Sequence, residues 1–218
     1  MDFNTIIPKI AIFALPVIFA ITVHEAAHGY VARKFGDNTA YMLGRVTLNP
    51  IPHIDLFGTI ILPLIMLLLP GGFLFGWAKP VPVNFGALRN PKRDMLWVAA
   101  AGPAANFIMM IGWAILAKLS TLMGDSSYAL PLRLMSGAGI FINAIMMIFN
   151  LIPLPPLDGG RVAVSLLPNT YARLLAQLEP YGLIIIPLLL ISGALGFVMG
   201  PLVNGLINGI ASLFALNS

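Results

Sequence analysis

Two histidines and a glutamate with the spacing of a metal site lie in an apolar stretch near the start of the sequence. His24, Glu25 and His28 form the pattern His-Glu-x-x-His. If this stretch is a helix, the four-residue interval places both imidazoles on one face, where their nitrogens can bind one ion while Glu25 reaches an adjacent water molecule. The pattern therefore predicts a zinc site of the peptidase type.

The same five-residue string could also occur by chance, or its histidines could be ordinary hydrogen-bonded core residues. A carboxylate at mid-membrane costs about 2.5–3.5 kcal/mol. The chain has three histidines, and two of them flank Glu25. Because burying Glu25 in the membrane is costly and two of the three histidines lie beside it, a metal site is favoured over a chance occurrence of the pattern.

A tetrahedral zinc site with two histidines needs a third protein ligand. Asp158 is the strongest candidate, because prolines in the preceding stretch 150–157 should interrupt an apolar helix at membrane depth. Asp158 could instead cap a helix that begins at Gly159. Asp55, with His53, is the competing carboxylate, although a solvated turn is the better interpretation of that pair. The chain has no cysteine, which excludes thiolate ligands.

The composition indicates that the natural solvent of this chain is lipid. Of its 218 residues, 59% are hydrophobic and 9% are charged, too few polar groups to cover a soluble protein. A spanning helix needs about 20 mostly apolar residues. Four stretches meet this requirement: 6–32, 95–123, 132–154 and 180–198.

We therefore predict an all-α polytopic membrane protein with about five to six transmembrane helices. The whole chain, 1–218, should form one membrane domain. The part that carries the motifs covers about 5–170, and further transmembrane helices occupy about 178–216. The apolar run at 5–23 continues into His24 without a cleavage site, so it should remain in the mature protein.

The basic residues predict the orientation of the chain. Of the 12 lysines and arginines, nine are predicted to lie on the membrane face at which the first helix ends. Lys9, Lys118 and Arg133 are predicted to lie on the opposite face. The positive-inside rule places the richer side in the cytoplasm and the metal site nearer that face. No basic run with interleaved aromatics suggests nucleic-acid binding.

The region 44–88 is too rich in turn formers for a simple span. Residues 44–57 predict a strand or loop. Gly58–Leu69 would reach roughly 18 Å as a helix, short of the roughly 30 Å hydrocarbon core, so we predict a re-entrant segment. The return limb should be extended. Within it, Lys79, Val81 and Val83 could pair with a substrate strand by edge addition, and an ordinary proline-rich loop explains the pattern equally well.

The motifs together resemble those of the site-2 protease family of intramembrane zinc metallopeptidases. They are His24-Glu-Ala-Ala-His28, Gly102-Pro-Ala-Ala-Asn106 and Asn150-Leu-Ile-Pro-Leu-Pro-Pro-Leu-Asp158-Gly, in the family's order. The resemblance covers roughly residues 10–170 and is closest to the compact prokaryotic branch. Too few residues separate the last two motifs to hold a PDZ domain, and the apolar C-terminal tail is not expected to form a CBS pair.

The resemblance implies that His24, His28 and Asp158 bind one Zn²⁺ per chain and that Glu25 is the catalytic general base. It implies a substrate that is a transmembrane protein, cut within or near its membrane segment. It also implies an integral protein of a prokaryotic cell membrane, in contact with the lipid bilayer.

Two asparagines in these motifs admit two interpretations. Asn106 and Asn150 could hold the substrate backbone or a developing oxyanion near the zinc. Interhelical hydrogen bonding is an equally good interpretation, since amides commonly serve it in membranes. The Gly205–Gly209 pair fits helix packing, including packing in a homo-oligomer.

Two other functional classes remain as alternatives. Intramembrane histidines and carboxylates also mark ion paths, so the chain could be a metal-ion transporter or channel. It could also be a catalytically inactive scaffold that binds membrane helices. A conduction path needs several weak sites in series, whereas this sequence concentrates its polar residues at one depth and includes a glutamate between the histidines. The peptidase is the favoured hypothesis.

Overall fold

The computed structural model describes residues 3–62, 65 and 76–216, and the described residues contain helices and loops but no strand. Their helices of eight residues or more are α1 (Phe3–Lys34), α2 (Pro91–Thr121), α3 (Ala129–Asn150), α4 (Asp158–Leu166), α5 (Asn169–Ala176), α6 (Gly182–Ile191) and α7 (Ala194–Leu213). The predicted all-α fold is confirmed.

Within the described residues, four helices are long and apolar enough to cross a membrane: α1, α2, α3 and α7. The segments Asn169–Tyr181 and Ile184–Ile191 meet at 76° and make a fifth span if they count as one. The span predicted at 180–198 is divided at Gly193, whose φ of +77° suits glycine far better than other residues. The chain is an integral membrane protein with α6 and α7 as separate helices.

Helix α2 is central and packs against α1, α3 and α4, while α7 packs against α3. Large side chains of these helices, such as Met110 and Trp113, pack with Ile140 and Val203 in an apolar cluster. Gly139 permits the close approach of α3 to α2, because an added Cβ would lie 2.6 Å from Cδ1 of Trp113. This packing fixes the height of α2 relative to its neighbours.

The first turn of α2 is stabilised by a local hydrogen bond and by contacts with residues far along the chain. Pro91 occupies a favoured first position, and Asp94 accepts the backbone N–H of Asn90 at 2.7 Å. Lys92 donates to the Leu167 carbonyl and to Oδ1 of Asn169, both at 2.7 Å. The start of α2 is thereby tied to the connection between α4 and α5.

Residues 44–55 form turns and a short 3₁₀ helix at Ile51–His53, so the loop alternative for 44–57 is confirmed up to Asp55 and the strand is wrong. Asp55 then caps a helical segment at Leu56–Ile61 by accepting the N–H of Gly58 at 2.7 Å. Much of the predicted re-entrant segment, at 63–64 and 66–75, lies outside the described residues. Residues 76–84, which we call the return limb, contain no helix, as predicted for an extended segment.

Candidate metal centre

Three side chains from distant parts of the sequence converge beside α2. His24 and His28, one turn apart on α1, are 4% and 8% exposed, and their Nε2 atoms lie 3.1 Å apart. Oδ2 of Asp158, the first residue of α4, lies 3.3 Å from each of them. Bonds of about 2.0–2.1 Å around a tetrahedral zinc place neighbouring ligand atoms about 3.3–3.4 Å apart. The three atoms have nearly the spacing of one face of that tetrahedron.

The hydrogen bond of His28 fixes the protonation of its ring nitrogens. Nδ1 lies 2.7 Å from the carbonyl oxygen of Val98 on α2. A carbonyl can only accept, so Nδ1 carries the proton and donates it. The neutral ring therefore has its lone pair on Nε2, the atom that faces Asp158.

His24 is oriented by an amide network between α1, α2 and α3. Its Nδ1 lies 2.6 Å from Oδ1 of Asn106. The amide nitrogen of Asn106 donates to the Ala20 carbonyl at 3.3 Å and to Oδ1 of Asn143 at 2.9 Å, which leaves its oxygen to accept from His24. Asn143 in turn donates to the Gly139 carbonyl at 2.8 Å. His24 thus also presents an Nε2 lone pair.

Two imidazole lone pairs and a carboxylate oxygen consequently face one point. Oδ2 of Asp158 is buried and has no hydrogen-bond partner. A cation at that point would be bound by all three of these atoms. In both rings the other nitrogen makes a hydrogen bond to the protein, as it does in metal-ligating histidines. The donor set of two nitrogens and one carboxylate oxygen suits zinc.

Close backbone packing positions Asp158 next to the two histidines. The N-cap position of α4 is Leu157, and Asp158 makes no side-chain capping bond, so the capping interpretation is wrong. An added Cβ on Gly160 would lie 2.6 Å from Cδ of Pro155, and one on Gly182 would lie 3.0 Å from the nitrogen of Pro156. The proline-rich turn is wedged between the starts of α4 and α6, which fixes where Asp158 lies.

Gly102 forms the wall of the centre on α2, a role that the sequence did not reveal. An added Cβ would lie 2.5 Å from Cε1 and 2.6 Å from Nε2 of His24, and closer still to Nε2 of His28. Gly102 and Asn106 are one helical turn apart, so they share a face. The four-residue interval between Gly102 and Asn106 could have indicated this role, because it places a residue without a side chain on the helix face that contacts the histidines.

Glu25 is bonded to the return limb. Its Oε2 accepts the N–H of Val81 at 2.7 Å. The N–H groups of Trp77 and Lys79 donate to the carbonyls of Gly58 at 3.1 Å and His53 at 3.0 Å. Alternate N–H groups of the limb therefore point into the protein, as an extended conformation requires. Lys79 and Val81 cannot offer these N–H groups to a substrate strand.

The limb is also held by two side chains that sequence analysis did not select. Asp37 is 1% exposed, and its Oδ2 accepts the N–H of Asn84 at 2.7 Å. The guanidinium of Arg45 donates to the carbonyls of Lys79 at 2.8 Å and Pro80 at 3.2 Å. Val83 packs beside the cluster at the end of α1. Both polar contacts link residues far apart in sequence, which no local pattern reveals.

The remaining candidates lie outside the three-ligand group. In the part of the chain that the structure describes, His24, His28 and Asp158 are the group that could hold a metal ion. His53 Nε2 bonds the Thr47 carbonyl at 3.1 Å, and Asp55 is the helix cap described above. The amide nitrogen of Asn150 donates to the Met146 carbonyl at 3.0 Å, within its own helix.

Comparison with known proteins shows the family of this chain. The model of peptidase family M50 matches residues 12–129 and 125–193. The chain belongs to this family, the site-2 protease family. It is 38% identical over 204 residues to "Putative zinc metalloprotease YwhC" of Bacillus subtilis (strain 168), covering 92% of this chain and 90% of the relative.

A second relative, "Putative zinc metalloprotease Rip2" of Mycolicibacterium smegmatis, is 30% identical over 179 residues, which cover 82% of this chain and 66% of that protein. No solved structure matches the chain significantly. The family and the names of its members support a zinc metalloprotease, and the chain is a compact form of it.

Replacing Asn106 with alanine should lower zinc affinity by about 10–100-fold, the usual range for loss of an outer hydrogen bond to a ligating histidine. The His24 ring would lose the acceptor that holds the proton on Nδ1. Competition with a fluorescent zinc chelator measures the change. Asn150→Ala is the matched control and should bind zinc like wild type, because Asn150 contacts neither ring. Equal affinities for all three proteins would show that the amide does not orient His24.

Proposed function

We propose that this protein is an intramembrane zinc endopeptidase that hydrolyses peptide bonds within or near the transmembrane segments of other membrane proteins. The observation that carries the proposal is the convergence of His24, His28 and Asp158 beside Glu25, with both histidines on a helix that can span a membrane. Membership of a protease family supports the same activity.

His24, His28 and Asp158 would hold one zinc ion per chain. When bound, zinc supplies the Lewis acidity that makes water nucleophilic near neutral pH and polarises the peptide carbonyl. Glu25 takes the proton from the attacking water and later gives it to the leaving amine. The Val81 N–H holds Oε2 of Glu25, which leaves Oε1 for the proton. Asn106 and the Val98 carbonyl keep both rings in the required tautomer.

A substrate helix must unwind before its carbonyls can react, because they are hydrogen-bonded within the helix. The return limb could hold the unwound segment by edge addition. The N–H groups of residues 77, 79 and 81 point inward, so the substrate strand would face the edge that carries residues 78, 80 and 82. Pro80 and Pro82 have no N–H, so this edge mainly accepts hydrogen bonds from the substrate. The Pro80 carbonyl already accepts from Arg45 and would accept from the substrate through its second lone pair. Asn150 remains a candidate contact to the substrate backbone.

The basic end of α1, at Arg33 and Lys34, supports the cytoplasmic placement of this side of the protein. His28 lies six residues before that end of the helix, roughly 9 Å along its axis. We therefore place the metal centre inside the bilayer and nearer the cytoplasmic face of the cell membrane.

The test is zinc content and cleavage of a single-span model protein by the purified enzyme in detergent micelles. Wild type should contain one zinc ion per chain and cut within or beside the apolar segment, as located by mass spectrometry of the products. Asp158→Ala should lose both zinc and cleavage. Asp55→Ala is the matched control and should keep both, because Asp55 caps a helix outside the centre.

Retention of zinc by Asp158→Ala would contradict the ligand assignment. Zinc flux into liposomes without cleavage of any membrane substrate would instead support a transporter. Cleavage restricted to soluble unfolded peptides would contradict the intramembrane substrate class but not the peptidase chemistry.

A further inference from the structure

A cationic cavity lies at the end of α1, and none of its lining residues belongs to the metal centre. It has a volume of about 340 Å³ and is lined by Tyr30, Arg33, Lys34 and Arg89. The three basic side chains are exposed. Among the described residues, the ion pairs involve His24, His28 and Arg161 but none of these three cations. Unpaired like charges around a concavity concentrate anions there.

The cations are held in place by their neighbours. The guanidinium of Arg33 stacks on the Tyr41 ring at 3.4 Å from its centre, and Nζ of Lys34 lies 5.4 Å from the centre of the Tyr30 ring. Stacking orients a guanidinium while its N–H edges stay available to an anion. The backbone N–H of Arg89 donates to the Phe35 carbonyl at 3.0 Å, which brings the third cation to the same place.

The cavity lies at the level where lipid headgroups are expected. Arg33 and Lys34 are the last residues of spanning helix α1, and Arg89 comes two residues before spanning helix α2. Tyr30, 53% exposed, lies one turn deeper, as aromatic residues at a membrane interface do. Basic pockets between transmembrane helices on the cytoplasmic side bind anionic headgroups.

We propose that this cavity binds the phosphate of an anionic phospholipid headgroup. Two arginines and a lysine provide the donors for one phosphodiester, and arginine forks match phosphate oxygens in pairs. Deeper in the membrane, roughly 16–18 Å along the same helix from Tyr30, the exposed side chains of Ile18 and Phe19 are available to contact the acyl chains. Binding ties the end of α1 to the residues before α2, the two helices that carry His28 and its Val98 partner.

The experiment uses the purified full chain in a neutral detergent, titrated with phosphatidylglycerol or with phosphatidylcholine of the same acyl chains. Native mass spectrometry counts bound lipid, and a thermal melt reports stabilisation. We expect one phosphatidylglycerol per chain to be retained at least about tenfold more strongly than phosphatidylcholine, since each cation near an anionic lipid contributes roughly fivefold. The Tm should rise only with the anionic lipid.

The double variant Arg33→Gln/Arg89→Gln should lose this preference. Arg133→Gln/Arg173→Gln removes the same charge from exposed arginines outside the cavity and should keep it. Equal loss in both double variants would mean that net charge alone attracts the lipid and would overturn the proposal. If the first variant is unstable without lipid, the wild-type preference decides: equal retention of the two lipids overturns the proposal.

Two further arms separate the possible sources of negative charge. Inorganic phosphate at millimolar concentration should not raise the Tm as phosphatidylglycerol does; if phosphate raises the Tm and phosphatidylglycerol does not, the cavity is a site for free phosphate. A soluble hexaglutamate peptide that binds the wild type where phosphatidylglycerol does not would assign the cavity to an acidic protein segment. Either result contradicts a lipid site.

Discussion

Glu25→Gln is expected to abolish cleavage while zinc remains bound. The amide has the size of the carboxylate but cannot take a proton from water, and loss of a general base typically lowers kcat by about 10²–10⁴-fold. The glutamine oxygen can still accept the Val81 N–H, so the return limb should keep its position. Single-turnover cleavage rates, with zinc content measured on the same samples, separate loss of chemistry from loss of metal.

Glu179→Gln is the matched control for this experiment. This variant also removes a carboxylate from the protein. In the wild type, that carboxylate forms an ion pair with Arg161 at 2.7 Å, outside the metal centre. This control should cleave at nearly the wild-type rate. If Glu25→Gln cleaved as fast as the control, Glu25 would not be the base and the proposed chemistry would fail.

Gly102→Ala is expected to remove zinc binding although glycine contributes no ligand. An added methyl group would lie 2.5–2.6 Å from ring atoms of His24 and closer still to His28. These distances are shorter than carbon and nitrogen atoms tolerate, so the rings must rotate away from Asp158 and from their hydrogen-bond partners. We expect zinc affinity to fall by about 100-fold or more, beyond the usual range for an outer-shell change.

Gly112→Ala provides the matched control in the same helix, because an added Cβ there has no atom within 4 Å. In a helix interior, alanine is more favourable than glycine by roughly 0.5–1 kcal/mol, so both variants should fold, and the control should bind zinc normally. Calorimetric zinc titration of both proteins measures the difference. Normal zinc affinity in Gly102→Ala would show that α2 does not lie against the histidines as described.

The sequence sufficed for those features that depend on local spacing. His24 and His28 share a helical face because four residues make about one turn, and no knowledge of the other helices is needed. Asp158 could be selected because prolines interrupt an apolar stretch just before it. The helices themselves followed from the length of their apolar runs, although the break at Gly193 was missed because its neighbours on both sides are apolar.

The contacts that hold these groups in position required the packing of one element against another. The bond between Asn106 and His24 depends on the relative heights of α1 and α2, and the proximity of Gly102 depends on the rotation of α2 about its axis. The bonds of Asp37 and Glu25 to the limb join residues 47 and 56 positions apart. Such distances in sequence leave no periodic signal, so these partners emerged only from the structure.

The position of Asp158 in the chain has a consequence for biosynthesis. It follows His28 by 130 residues, and both α2 and α3 lie between them. A nascent chain that has inserted only its first helix therefore holds two of the three donors. The metal centre can close only after the last donor has been translated and α4 has docked. A chain arrested during synthesis before that point would lack the third ligand and could not form the proposed zinc centre.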